Sequence, residues 1–191
     1  LENLQYFAAL YRGRTRRPDA LLEQVGLHDD RATPVGEYSK GMKNRLSVAR
    51  CLLNDPELLF LDEPTAGLDP VNAQAIKELI AEERRAGKTI FLTTHDMSAA
   101  DELCDRVAFI VNGEIKLIDQ PRELKLRYGS AQVRVEYRAA NGLAHESFPL
   151  VGLGTNDAFL KTLANERIQT IHTQEASLDD IFIEVTGEKL Q

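Results

Sequence analysis

Residues 58–70 read LLFLDEPTAGLDP, so Asp62 and Glu63 follow directly on an apolar run. A buried strand that ends in two acids carries both carboxylates to its C-terminal end, where open α/β sheets bind their ligands. Successive strand side chains face opposite ways, so the two acids can share one task only if the strand end bends. The pair suits phosphoryl transfer: Asp62 holding a hydrated Mg²⁺, and Glu63 orienting or deprotonating a water for in-line attack on a γ-phosphate. Two acids that merely solvate a strand end are the competing reading. The punctuation that follows weighs against it, because Pro64 stops ladder hydrogen bonding, Gly67 permits a tight turn and Asp69-Pro70 opens the next helix. His95 ends a second apolar run after Thr93 and Thr94. A lone histidine is more often structural, but one at this strand end could donate to a phosphate and hold the attacking water in line. Upstream, Ser39 is a good N-cap and Gly41 allows a close approach to the first turn of the helix it opens. Such a helix start, with spare N–H groups, binds phosphate, although a simply capped helix fits the same residues.

These groups need elements to position them. Leu4, Phe7, Ala8, Leu10 and Tyr11 recur at helical spacing, and a basic turn, Arg12 to Arg17, follows them. Pro18 then opens a short helix with Leu21, Leu22 and Val25 that stops at Gly26. The helix after Ser39 carries Leu46, Ala49, Leu52 and Leu53 inward, so the first fifty residues read as helical. From Glu57 the pattern turns to short apolar runs at 58–61, 89–94 and 106–111, expected to be buried strands. Between the first two, Ile76, Leu79 and Ile80 form one helical face and Gly87 the stop, so strand, helix and strand imply a parallel crossover. Asn112-Gly113 turns the chain into a hairpin. After Tyr128-Gly129, residues 131–137 alternate, Asn141-Gly142 marks another hairpin turn, and helix, extended segment and helix follow. Ser177 and Asp180 stand at capping-box spacing, with Gly187 as the stop. The division expected is 1–54 helical, 55–127 a partial α/β core and 128–191 a small α+β module.

Composition narrows the field. The 191 residues are 43% hydrophobic and 28% charged, near the globular average. A formal charge of −7 argues against a phosphate-backbone binder, so no nucleic-acid partner is expected. The longest central apolar run, Leu58 to Leu61, is far too short to span a bilayer. Cys51 and Cys104 form no C-x-x-C pair and read as unlinked thiols.

The run LLFLDEPTAGLDP resembles the Walker B strand and D-loop of the ATP-binding cassette (ABC) ATPases. Two further segments occur in that family's order: YSKGMKNRLSVARCLLNDP resembles the signature motif and its helix, and FLTTHD resembles the H-switch strand. The resemblance covers about residues 1–127 and implies a partial P-loop NTPase (ABC ATPase) core with a helical subdomain. It also implies site roles. Glu63 would be the catalytic carboxylate, Asp62 the Mg²⁺ ligand and His95 the switch histidine. Ser39 and the backbone around Gly41 would contact the γ-phosphate of ATP on a second, opposed ABC subunit, with Lys40 beside it. Asp69 would link the two sites across the pair. Gln5 lies inside the first helical pattern and is not the Q-loop glutamine. Tyr38, Lys40 and Met42 replace the usual Leu, Gly and Gln, which removes any contact that needs the glutamine amide.

The phosphate-cradling G-x-x-x-x-G-K-[ST] is absent; the nearest approach, Gly36 to Gly41, continues as Met42-Lys43. The expectation is a fragment of a longer cassette, inactive alone. The segment 93–129 and the tail resemble bacterial ABC-2 type exporters of the drug-resistance kind. That implies an ATPase driving a separate membrane permease from the cytoplasmic face of the plasma membrane. A soluble ABC ATPase and a non-catalytic regulatory remnant are the alternatives.

Overall fold

The computed structural model describes residues 1–139 and 142–187, and the chain divides into two compact units, Leu1–Leu103 and Cys104–Gln191. The first unit runs α1 (Glu2–Leu10), α2 (Pro18–Gln24), α3 (Lys40–Leu52), β1 (Leu58–Asp62), α4 (Pro70–Arg85), β2 (Thr89–Thr93) and α5 (Met97–Leu103). Pro18 starts α2, where its missing N–H costs nothing. Gly26 follows α2 with φ +63, and a Cβ there would meet Arg45 Nη1 at 3.0 Å, so the glycine serves both backbone and neighbour. Arg45 donates to the Val25 and Gly26 carbonyls at 3.0 and 2.8 Å, satisfying that helix end from α3. Leu4, Leu21, Leu22, Val25, Leu27, Leu52 and Leu53 are fully buried and make up the helical core.

β1 and β2 pair in parallel, from Leu58 with Thr89 to Asp62 with Thr93, joined by α4 as the crossover pattern predicts. The expectation of buried strands needs correction. Leu59 and Leu61 are buried, but Phe60 and Phe91 are 67% and 57% exposed and lie against each other, ring centroids 5.8 Å apart. A short apolar run does not reveal whether one face or both are covered. On α4, Ile76, Leu79 and Ile80 are buried together with Glu83. Glu83 pairs with Arg16 at 2.5 Å and with Lys88 at 2.8 Å, and Lys88 also reaches Asp55. Burial opposes ionisation of Glu83, but the hydrogen bonds from Lys88 and Arg16 outweigh it and hold the carboxyl below the ordinary glutamate range.

The second unit starts with the antiparallel hairpin β3 (Val107–Val111) and β4 (Glu114–Asp119). Asn112 and Gly113 both have positive φ, the backbone a two-residue hairpin turn requires. α6 (Pro121–Tyr128) precedes a three-stranded antiparallel sheet ordered β6 (Gly142–Pro149), β5 (Gln132–Ala139), β7 (Arg167–Thr173). Val133, Val135 and Phe148 from this sheet bury against Phe159 of α7 (Asp157–Asn165). α8 (Leu178–Thr186) carries the expected capping box, with Ser177 and Asp180 satisfying each other's backbone, and ends at Gly187 with φ +69. Asn141 of the expected turn and the last residues of the tail lie outside the described residues. The pattern break at Tyr128-Gly129 falls inside this unit, because α8 packs on α6 and β4 and so joins the hairpin to the tail.

Candidate active site

Glu63 stands one residue past β1 with φ +46, so the strand end does bend. Its N–H donates to the Thr93 carbonyl at 3.0 Å, and its carbonyl accepts from the Ala66 N–H at 3.1 Å. The half-buried carboxylate is turned to the end of β2. There Oε1 accepts from His95 Nδ1 at 2.8 Å and from the His95 N–H at 3.1 Å, and Oε2 accepts from the Thr94 hydroxyl at 3.4 Å. Asp62, which remains exposed, accepts instead from the hydroxyl of Thr93, its partner across the ladder. The two acids therefore meet different residues of one strand end.

The hydrogen bond that His95 donates to Glu63 and the charge of that carboxylate raise the His95 pKa above the ordinary histidine value. An ionised carboxylate only accepts, so Nδ1 must carry a proton. Nε2 then carries one as well only in the imidazolium form, the form this pairing favours.

Ser39 caps α3 by accepting from the Met42 N–H at 3.1 Å, which leaves its own hydroxyl hydrogen free to donate. Lys40 is the first helical residue and exposed. A Cβ on Gly41 would approach Leu68 Cδ2 at 3.2 Å and the Gly67 carbonyl at 3.3 Å, so the glycine lets the helix start lie on the loop before α4. Asp69 caps α4: Oδ1 accepts from the Val71 and Asn72 N–H groups at 3.1 Å, and Oδ2 from the Asn72 side-chain amide. Those bonds, the Asn72 side chain first, hold the Asp69 carboxyl below its ordinary range. Tyr38 is buried and donates to the Asp30 carbonyl at 2.9 Å, an anchor a leucine could not supply.

The structure thus places Ser39, Lys40 and Gly41 beside the loop that leads to Asp69, and places Asp62, Glu63 and His95 together at the strand ends. The sequence reading assigned no role to Thr93, Thr94 or Asn44. The Asn44 amide reaches the Glu63, Pro64 and Ala66 carbonyls. Its signal is faint: Asn is a poor helix former, set here one turn inside a helix. Mg²⁺ fits the donor set, since it commonly takes one or two carboxylates and completes its shell with water and phosphate oxygens, and Asp62 offers an exposed carboxylate. Among the described residues no group of three or more metal-ligating side chains gathers.

Residues 2–66 match the ABC transporter family, and residues 131–175 match the fluoroquinolone efflux ABC transporter C-terminal domain. The fluoroquinolones export ATP-binding protein of Mycobacterium tuberculosis is 58% identical over 190 residues, 99% of this chain and 63% of that protein. The daunorubicin resistance ATP-binding protein DrrA3 of Streptomyces coeruleorubidus is 32% identical over 98% of this chain and 67% of that protein. The chain belongs to the ABC transporter ATPase family. An ATP-binding subunit of an ABC transporter shares the ABC fold with a TM-score of 0.64 at 23% identity, over 97% of this chain and 61% of that one. A dimeric post-hydrolysis ATP-binding cassette bound to ADP and Pi aligns at TM-score 0.54 and 26% identity, over 62% of this chain and 55% of that one. This ABC chain spans about 63% of the length of the mycobacterial relative.

Proposed function

We propose that this chain supplies the signature, Walker B and H-switch portion of an ATP-hydrolysing subunit that powers a bacterial exporter. The bond between Glu63 and His95 carries the reading, because it sets a carboxylate and an imidazole side by side at the strand ends. Glu63 orients or deprotonates the attacking water. His95, kept protonated by Glu63, offers Nε2–H to the γ-phosphate oxygens where charge builds up. Asp62 would hold Mg²⁺, which neutralises phosphate charge when bound. Ser39, through its uncommitted hydroxyl hydrogen, Lys40, through its charge, and the backbone at Gly41 meet the γ-phosphate on an opposed second ABC subunit. Asp69 links the two sites.

The 58% identity to a fluoroquinolone export protein supports a drug-like cargo moved through a separate membrane permease from the cytoplasmic face. No described helix is long and apolar enough to cross a membrane. The test is Glu63→Gln in a cassette of the relatives' full length that carries this sequence. ATP turnover should fall roughly a hundred- to ten-thousand-fold while ATP binding stays. Turnover equal to the parent's would remove Glu63 from its role.

A further inference from the structure

Asn44 lies on α3, at the start of its second turn after the Ser39 cap. Its side-chain amide nitrogen donates to the carbonyls of Glu63 at 3.3 Å, Pro64 at 3.1 Å and Ala66 at 3.1 Å. Two amide hydrogens are therefore shared by three carbonyls around one turn. That turn holds Glu63 at φ +46, a left-handed backbone that side chains other than glycine, Asn and Asp rarely adopt. Such a conformation persists where the surroundings hold it. On one side the Glu63 N–H is fixed to Thr93. On the other, Asn44 holds the carbonyl.

The same helix carries the Ser39 hydroxyl and the Gly41 backbone at its start, and Gly41 lies against Gly67 and Leu68 of the loop. We propose that Asn44 is a positioning residue, a clasp that registers the Glu63 carboxylate to the signature helix. A shift of that helix when its start meets a phosphate is thereby passed to the water-activating group. The proposal rests on the role of Glu63 given above.

Aspartate has the shape of asparagine but sets a carboxylate oxygen against the three carbonyls, whereas glutamine keeps the donors on a longer stem. In the full-length cassette, Asn44→Asp and Asn44→Ala should lower kcat roughly ten- to a hundred-fold, the scale of a small misplacement of a reacting group. KM for ATP should stay within about twofold, because ground-state binding is not touched. Asn44→Gln, which keeps the donors, should regain part of kcat and melt near the parent. Parental kcat in Asn44→Asp would overturn the proposal. So would a loss that is equal in all three variants and tracks a lowered melting temperature, which is the signature of scaffolding alone. Glu63→Gln, measured alongside, separates the two ideas: if it turns over normally the catalytic assignment fails, and if it is inactive while Asn44→Asp is normal only the clasp fails.

Discussion

His95 keeps its proton beyond the pH at which a free histidine loses it, because the Glu63 carboxylate lies 2.8 Å from Nδ1. The stabilisation this pair gives is whole below the ordinary histidine value and is lost as pH rises through the higher folded value. An NMR titration should therefore place the His95 midpoint above that of a free histidine, and Glu63→Gln should bring it back down. Turnover of a full-length cassette should fall on its alkaline side with the same midpoint, since Nε2 stops donating there. An unshifted midpoint would refute the pairing in solution. The sequence made Asp62, Glu63, His95, Ser39 and Asp69 legible, because each stands at an element end where its side-chain type has a stated use. Asn44 was not legible. Its partners are backbone carbonyls, and a carbonyl leaves no trace in residue identity.

Elements repeat the pattern. Caps and stops could be read in advance, since Ser39, Asp69 and Ser177 accept the N–H bonds that their spacing predicts. Ser177→Ala should lower stability by about 1 kcal/mol in thermal melts. The tie between Arg16, in the loop before α2, and Glu83, on α4, could not be read, because it spans 67 residues with no local signal. Glu83 is 7% exposed, so Glu83→Gln leaves two cations short of a partner and should cost about 3 kcal/mol. The contribution of Glu83 is whole above the ordinary glutamate range and drains as acid takes the pH through its lower folded value. The parent should therefore lose its advantage over Glu83→Gln as melts move to acid pH. A gap that stays constant with pH would show that the pairing contributes only through packing.

At the scale of the molecule, the uncovered face of β1 and β2 sets behaviour. Leu58, Phe60 and Phe91 are 48%, 67% and 57% exposed, neighbours on one small sheet rather than scattered residues. Contiguous apolar surface of this kind favours association. The isolated chain should bind the dye ANS and sediment with a concentration-dependent mass, and Phe60→Ser with Phe91→Ser should reduce both. A monomer that ignores the dye would contradict this.

The left-handed backbone at Glu63 bears on descent as well as on mechanism. An asparagine accepts that conformation more readily than glutamate does, and the ion pair given up with the partly exposed His95 is worth little. A lineage freed from selection for turnover meets no folding barrier to losing it. On the role proposed for Glu63, a well-folded chain without turnover is thus two base changes away, since every glutamate codon differs from every asparagine codon at two positions.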